Sequence, residues 1–92
     1  MTFINTLKSY SIVLTKSAQK DLQKLPATIA ITIQKKLSQL TEEVHALNIL
    51  KLVGYPTPTY RLRVGDYRVI FEVHENEIIV LVIGIKHRKD AY

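Results

Sequence analysis

The chain predicts an α+β domain: a small antiparallel β-sheet with an α-helical hairpin packed on one face. Three observations carry the prediction. Residues 60–71 read as two strands joined by Gly65-Asp66, a pair suited to a tight hairpin with glycine at the first central position. Further upstream, Ile29, Ile33, Leu37, Leu40 and Val44 recur at intervals of three and four, the spacing of one helical face. Residues 78–83 form an unbroken, largely β-branched run, which suits a central strand covered on both faces.

The elements follow in order. Residues 10–14 (Tyr-Ser-Ile-Val-Leu) read as a first strand. Thr15 or Ser17 can cap a short helix that sets Ala18, Leu22 and Leu25 at helical spacing. Pro26 suits the first turn of a second helix, because the nitrogen it lacks would have no intrahelical partner there. Residues 54–59 hold one glycine and two prolines and read as a loop. After the hairpin, residues 74–77 make a polar turn into the last strand, and residues 86–92 a basic tail. Ninety-two residues with 47% apolar content suffice for one modest core, so residues 1–92 are taken as a single domain, with 1–9 as an N-terminal extension.

Composition narrows the function classes. No cysteine is present, which removes disulfides and thiolate metal sites. The longest apolar run, residues 78–85, is far too short to span a bilayer, and residues 1–9 lack the pattern of a secretory signal. A soluble, cytoplasmic protein with no membrane partner is expected. The net charge of +5 favours an acidic or polyanionic partner. All four arginines, Arg61, Arg63, Arg68 and Arg88, fall in the last third of the chain, and the planar guanidinium fork matches phosphate.

Counting outward from Gly65-Asp66 pairs Val64 with Tyr67, Arg63 with Arg68, Leu62 with Val69 and Tyr60 with Phe71. One face then carries Tyr60, Leu62, Val64, Tyr67, Val69 and Phe71; the other carries Arg61, Arg63 and Arg68. Like charges directly opposite across two strands destabilise a sheet. Folding alone gives little reason for Arg63 to face Arg68, whereas a polyanion docked on that face gives one. Lys86, His87, Arg88 and Tyr92 leave the strand beside this hairpin and add an imidazole, another guanidinium and a phenol towards one surface. His74, flanked by polar turn residues, reads as solvated. The sequence has no metal-ligand spacing, glycine-rich phosphate loop or nucleophile elbow, so neither metal nor cofactor is expected.

Three stretches taken together are specific. Lys51-Leu52-x-Gly54, then residues 60–70 (Tyr-Arg-Leu-Arg-x-Gly-Asp-Tyr-Arg-Val-Ile), then His87-Arg88-x-x-x-Tyr92 resemble the RelE branch of the RelE/ParE toxin superfamily. The similarity runs from about Tyr10 to Tyr92, and residues 1–9 extend beyond the usual family start. Proteins of this kind are the toxins of bacterial toxin–antitoxin pairs. The RelE branch enters the ribosomal A site and cleaves the mRNA there; the ParE branch targets DNA gyrase. The resemblance implies that Arg61, Arg63, Arg68, Arg88 and Tyr92 match positions of the RNA-cleaving surface. Lys51, Arg61, Arg63, Lys86 and Lys89 form the expected RNA-binding set. Family members often carry lysine where this chain has Arg61 and Arg63; arginine keeps its proton, so it stabilises charge but is a poor general base.

Metal-independent RNA cleavage proceeds by attack of the neighbouring 2′-hydroxyl on the scissile phosphate. It needs a proton acceptor, a proton donor and cations for the charged transition state, and the arginines fit the last role. His87, with an ordinary pKa near neutrality, is the candidate acid or base. Tyr92 is assigned to base stacking or proton transfer. The expected partners are mRNA in the ribosomal A site and a cognate antitoxin, short, partly acidic and folding as it binds. Two other readings remain at this point: a ParE-like toxin acting on gyrase without cutting RNA, and a non-catalytic RNA-binding domain.

Overall fold

A computed structural model describes residues 7–42 and 47–89. Five strands and two helices follow in chain order: β1 (Ser11–Leu14), α1 (Lys16–Gln23), α2 (Ala27–Gln39), β2 (Ile49–Leu52), β3 (Thr59–Val64), β4 (Tyr67–His74) and β5 (Ile79–His87). The sheet order is β1-β5-β4-β3-β2. The α+β class with a helix pair on one sheet face therefore holds, with two amendments. Strand β2 pairs antiparallel on the outer edge of β3, and β1 lies parallel to β5, so the sheet is mixed rather than wholly antiparallel.

Local chemistry accounts for the helices. The Thr15 hydroxyl accepts the Ala18 N–H at 3.1 Å and caps α1. Pro26 stands just before α2, as its N-cap rather than within its first turn, with φ of −55° and its carbonyl accepting the Ala30 N–H. Ala18, Ile33, Leu37 and Leu40 are buried against the sheet, with Leu22, Leu25 and Ile29 packed at their margin. From the sheet come Tyr60, Leu62, Val64, Val69, Phe71, Val73, Val80, Val82 and Ile85. Tyr60 and Phe71 stack with ring centroids 5.5 Å apart. Leu7, shortly before β1, adds itself to this core at 1% exposure. Val44, expected on the α2 face, lies outside the described residues.

The β3–β4 hairpin has the predicted register throughout: Val64 opposite Tyr67, Arg63 opposite Arg68, Leu62 opposite Val69 and Tyr60 opposite Phe71. Gly65 takes φ of +58°, a left-handed conformation in which an L side chain is strained. Strand β5 departs from regularity once. Ile70 of β4 pairs with Gly84 and Phe71 with Val82, leaving Ile83 as an extra residue in β5. Before that bulge Val80 and Val82 face the helices; after it Ile85 and His87 do, and Lys86 points to the opposite face. The polar turn ends at Ile78, which is in the left-handed region at φ of +55°, so β5 begins at Ile79.

Beyond Leu14, β1 no longer covers β5. The exposed N–H of Ile85 is taken by the Asp21 carboxylate of α1 at 3.0 Å. This bond ties α1 to the end of the sheet where the charged residues gather.

Candidate nucleic-acid interface

Three adjacent strands each bring one cation to the same level of the helix-free face. Arg63 of β3 stands opposite Arg68 of β4, which stands opposite Lys86 of β5. Arg61 lies two residues along β3 on the same face, opposite Ile70 and Leu50. Two residues of strand rise separate Arg61 from Arg63 by about 7 Å.

Arg68 differs from its neighbours in being buried, at 7% exposure. Its Nη1 donates to the carbonyls of Gly65 and Tyr67 at 3.0 and 3.1 Å. The turn therefore grips the guanidinium, and its charge is fixed in position before any ligand arrives. A preorganised charge stabilises a developing anion without reorganisation at the moment of reaction. Strand alternation predicted the face of Arg68 but not its depth.

Two clefts flank the hairpin tip. On one side, Arg63, Val64 and Gly65 line a cavity of about 330 Å³ with Thr32 and Lys36 of α2, and with Leu47 and Asn48. On the other, Tyr67, Ile85, Lys86 and His87 line one of about 280 Å³ with Asp21, Lys24 and Leu25 of the α1 side. Each helix thus contributes a lysine to the charged end of the sheet. Helical spacing identifies the apolar positions of the two helices and gives no sign of this part for Lys24 or Lys36.

His87 does not join the arginine face. It is the cross-strand partner of Tyr67, and the two rings meet edge to face at 5.2 Å on the helix side of the sheet. The bulge at Ile83 is the cause, since it reverses which of Lys86 and His87 faces the helices. Lys86 and His87 also belong to β5 rather than to a tail. Arg88 follows in the turn: its N–H donates to the Asp66 carbonyl at 2.7 Å, and its Nε lies 3.8 Å from the Asp66 carboxylate. Arg88 is thereby held at the hairpin tip. Lys89 is exposed, with its N–H donating to His87 Nδ1. Lys51 is exposed on β2 opposite Tyr60, on the other side of the strand from the Leu50–Arg61 pair, so it does not extend the arginine face. Tyr92 lies outside the described residues.

His74, expected to be solvated, is half-buried at the far end of β4, with Nε2 2.8 Å from Glu72 Oε1 and Nδ1 3.6 Å from Glu77. No group of three or more metal-ligating side chains occurs among the described residues. No helix among them is long and apolar enough to cross a membrane.

Comparison with known proteins agrees with this architecture. Residues 12–92 match the family model described as the ParE toxin of the type II toxin–antitoxin system parDE. Toxin RelG of Mycobacterium tuberculosis is 28% identical over 90% of this chain and 95% of its own length. Toxin RelE3 of Methanocaldococcus jannaschii is 33% identical over 88% and 93%. Among solved structures, the archaeal RelE–RelB complex of Pyrococcus horikoshii contains a chain 28% identical to this one. It superposes with a TM-score of 0.75, covering 89% of this chain and 98% of that one. The chain belongs to the RelE/ParE superfamily of type II toxin–antitoxin toxins.

Proposed function

We propose that this toxin cleaves mRNA in the ribosomal A site. The observation that carries the proposal is the row Arg63–Arg68–Lys86, three cations level across three strands with the central one gripped by the turn. Such a row stores like-charge repulsion that a phosphodiester relieves. The arginine forks suit the non-bridging oxygens of the scissile phosphate, where charge accumulates as the reaction proceeds.

In the proposed reaction the 2′-oxygen forms a bond to phosphorus while the bond from phosphorus to the 5′-oxygen breaks. A cyclic phosphate remains on one fragment and a 5′-hydroxyl on the other. The leaving oxygen must gain a proton, and Lys86 is the row's member that releases one most readily, since arginine remains charged. This role passes to Lys86 from His87 because the imidazole lies on the other face of β5. The 2′-hydroxyl must lose a proton, yet every member of the row is a donor. The acceptor therefore comes from outside the row, which is consistent with a requirement for the ribosome. Arg61 and Arg88 flank the row and hold the RNA backbone.

The family model bears the ParE name, and that favours a second reading, a toxin that acts on DNA gyrase and leaves RNA intact. Such a toxin has no need of the cationic row. Induced expression separates the two: translation arrest with transcripts cut within codons supports RNA cleavage, and gyrase-linked DNA breaks with intact transcripts support the other. The Pyrococcus relative is complexed with RelB, and a corresponding antitoxin partner is proposed for this chain. Leu50, half-exposed opposite Arg61, offers apolar anchoring alongside the charges, and Val13 is a second half-exposed apolar residue farther along the sheet. The complex should then weaken with salt without dissociating entirely.

A further inference from the structure

Helix α1 carries a second charged feature that the proposed reaction does not use. Lys16, Lys20 and Lys24 recur at intervals of four residues, so one ammonium group follows another at each turn, about 6 Å apart along the axis. The exposed residues of the segment from Lys16 to Lys24 are these three lysines with Ser17, Gln19 and Gln23; no carboxylate is among them. Asp21, the acid of this helix, is turned towards the sheet and bonded to the Ile85 N–H. Like charges four residues apart destabilise a helix, and a merely solvated face ordinarily mixes signs. Folding is therefore no reason for the ridge.

The ridge is also continuous with the cationic end of the sheet. Lys24, at its C-terminal end, lines the same cleft as Lys86 and His87, and the Asp21–Ile85 bond fixes α1 against β5 there. Cations thus run from Arg63 across Arg68 and Lys86 to Lys24, Lys20 and Lys16, around the edge of β5 and onto the helix.

We infer that Lys16, Lys20 and Lys24 form a docking ridge for the phosphate backbone of structured, double-helical RNA, distinct from the strand cut at the sheet. The inference rests on the reading that this toxin works on RNA. Lysine suits the task, because it acts as a point charge on a flexible stem and reads no base sequence. Regular spacing along a rigid helix suits a ligand with regularly spaced charges, and A-form RNA is recognised mainly through its backbone and shape. A docking surface holds the protein in place while the arginine row meets the substrate.

The test compares Lys16→Gln/Lys20→Gln with a control of equal charge change elsewhere on the exposed surface, Lys8→Gln/Lys35→Gln. Binding to a short RNA duplex is followed by fluorescence anisotropy from about 50 to 200 mM salt. The ridge variant is expected to lose about tenfold in affinity, and the slope of log affinity against log salt to shrink by about 1.8, near 0.9 for each phosphate no longer neutralised. The control is expected to stay within about twofold of wild type, a difference between a local ion pair and net charge alone. Equal losses in both variants, or none in either, would overturn the ridge. So would an equal loss of binding to polyglutamate, which would mark the ridge as a surface for a carboxylate-rich protein. Cleavage of mRNA on saturating ribosomes is expected to be unchanged in the ridge variant. If the wild type cuts no mRNA at all while the ridge variant still loses duplex affinity, the cleavage reading fails and the ridge stands.

Discussion

Arg63 and Arg68 face each other across the β3–β4 ladder, and only Arg68 is buried. The pairing is unfavourable to the fold, since each guanidinium stands opposite its like, and Arg68 also faces Lys86 on its other side. Arg68 meets this cost through its bonds to the Gly65 and Tyr67 carbonyls, whereas the exposed Arg63 has solvent about it.

Replacing Arg63 should therefore separate stability from activity. Arg63→Gln removes one side of the repulsion and is expected to leave stability unchanged or raise it by about 0.2–1 kcal/mol, the range of a cross-strand pair. The same variant is expected to weaken toxicity on induced expression. Urea denaturation of the purified variant, set beside a growth assay, checks both halves. Clear destabilisation would show that Arg63 supports the fold rather than opposing it.

Ile78 offers a stabilising change far from the charged face. It is a β-branched residue at φ of +55° and half-exposed, so the left-handed backbone is strained with little packing to justify it. Asparagine tolerates this region far better. Ile78→Asn is expected to raise stability by about 1 kcal/mol, within the cost of a left-handed L-residue. Thermal unfolding would register it as an increase in Tm, with toxicity unaltered.

Alkaline pH should act on the core through Tyr60. Burial, and secondarily the negative charge of Glu75, raises the Tyr60 hydroxyl above its ordinary value of 10.0. The neutral phenol is thus favoured in the folded state, and its contribution is complete below pH 10. As pH rises above that point the unfolded chain ionises first, and stability falls until the folded value is passed. Tyr60→Phe has no proton to lose at that position. Denaturation profiles between neutral pH and about pH 11 should show a shallower alkaline loss for the variant than for the wild type.

The hairpin was legible in the sequence because Gly65-Asp66 specifies the turn, and the turn specifies the register of every pair beside it. The helix faces were legible for a similar reason: Ile33, Leu37 and Leu40 repeat at the spacing of one buried stripe. Strand β2 was not. It is a short edge strand whose residues 50 and 51 are both exposed, so it lacks the alternation that announces a strand. The parallel pairing of β1 with β5 was equally hidden, since periodicity states which face is apolar but not which strand is the neighbour.

Within the charged site, Arg61, Arg63 and Arg68 could be assigned to one face by counting from the turn. The arrangement of Lys86 and His87 could not be. An unbroken apolar run conceals a bulge, and the extra Ile83 exchanges the faces of everything after it. Regular alternation from Val80 and Val82 would have pointed Lys86 inward and His87 outward, the reverse of what the structure shows. Lys24 and Lys36 depend on tertiary packing, which brings the helices beside the hairpin tip.

In the proposed reaction the row on the helix-free face, completed by Lys86, performs the chemistry. Single-turnover cleavage of mRNA on programmed ribosomes, comparing Lys86→Met with His87→Gln, tests it most directly. Loss of a general acid lowers the rate by about 10²-fold or more, and that loss is predicted for Lys86→Met. For His87→Gln, whose ring packs on Tyr67 away from the row, a loss of less than about tenfold is predicted, below the scale of a proton-transfer role. A collapse in His87→Gln with near-normal cleavage by Lys86→Met would place the proton donor on the helix side of β5 and not in the row.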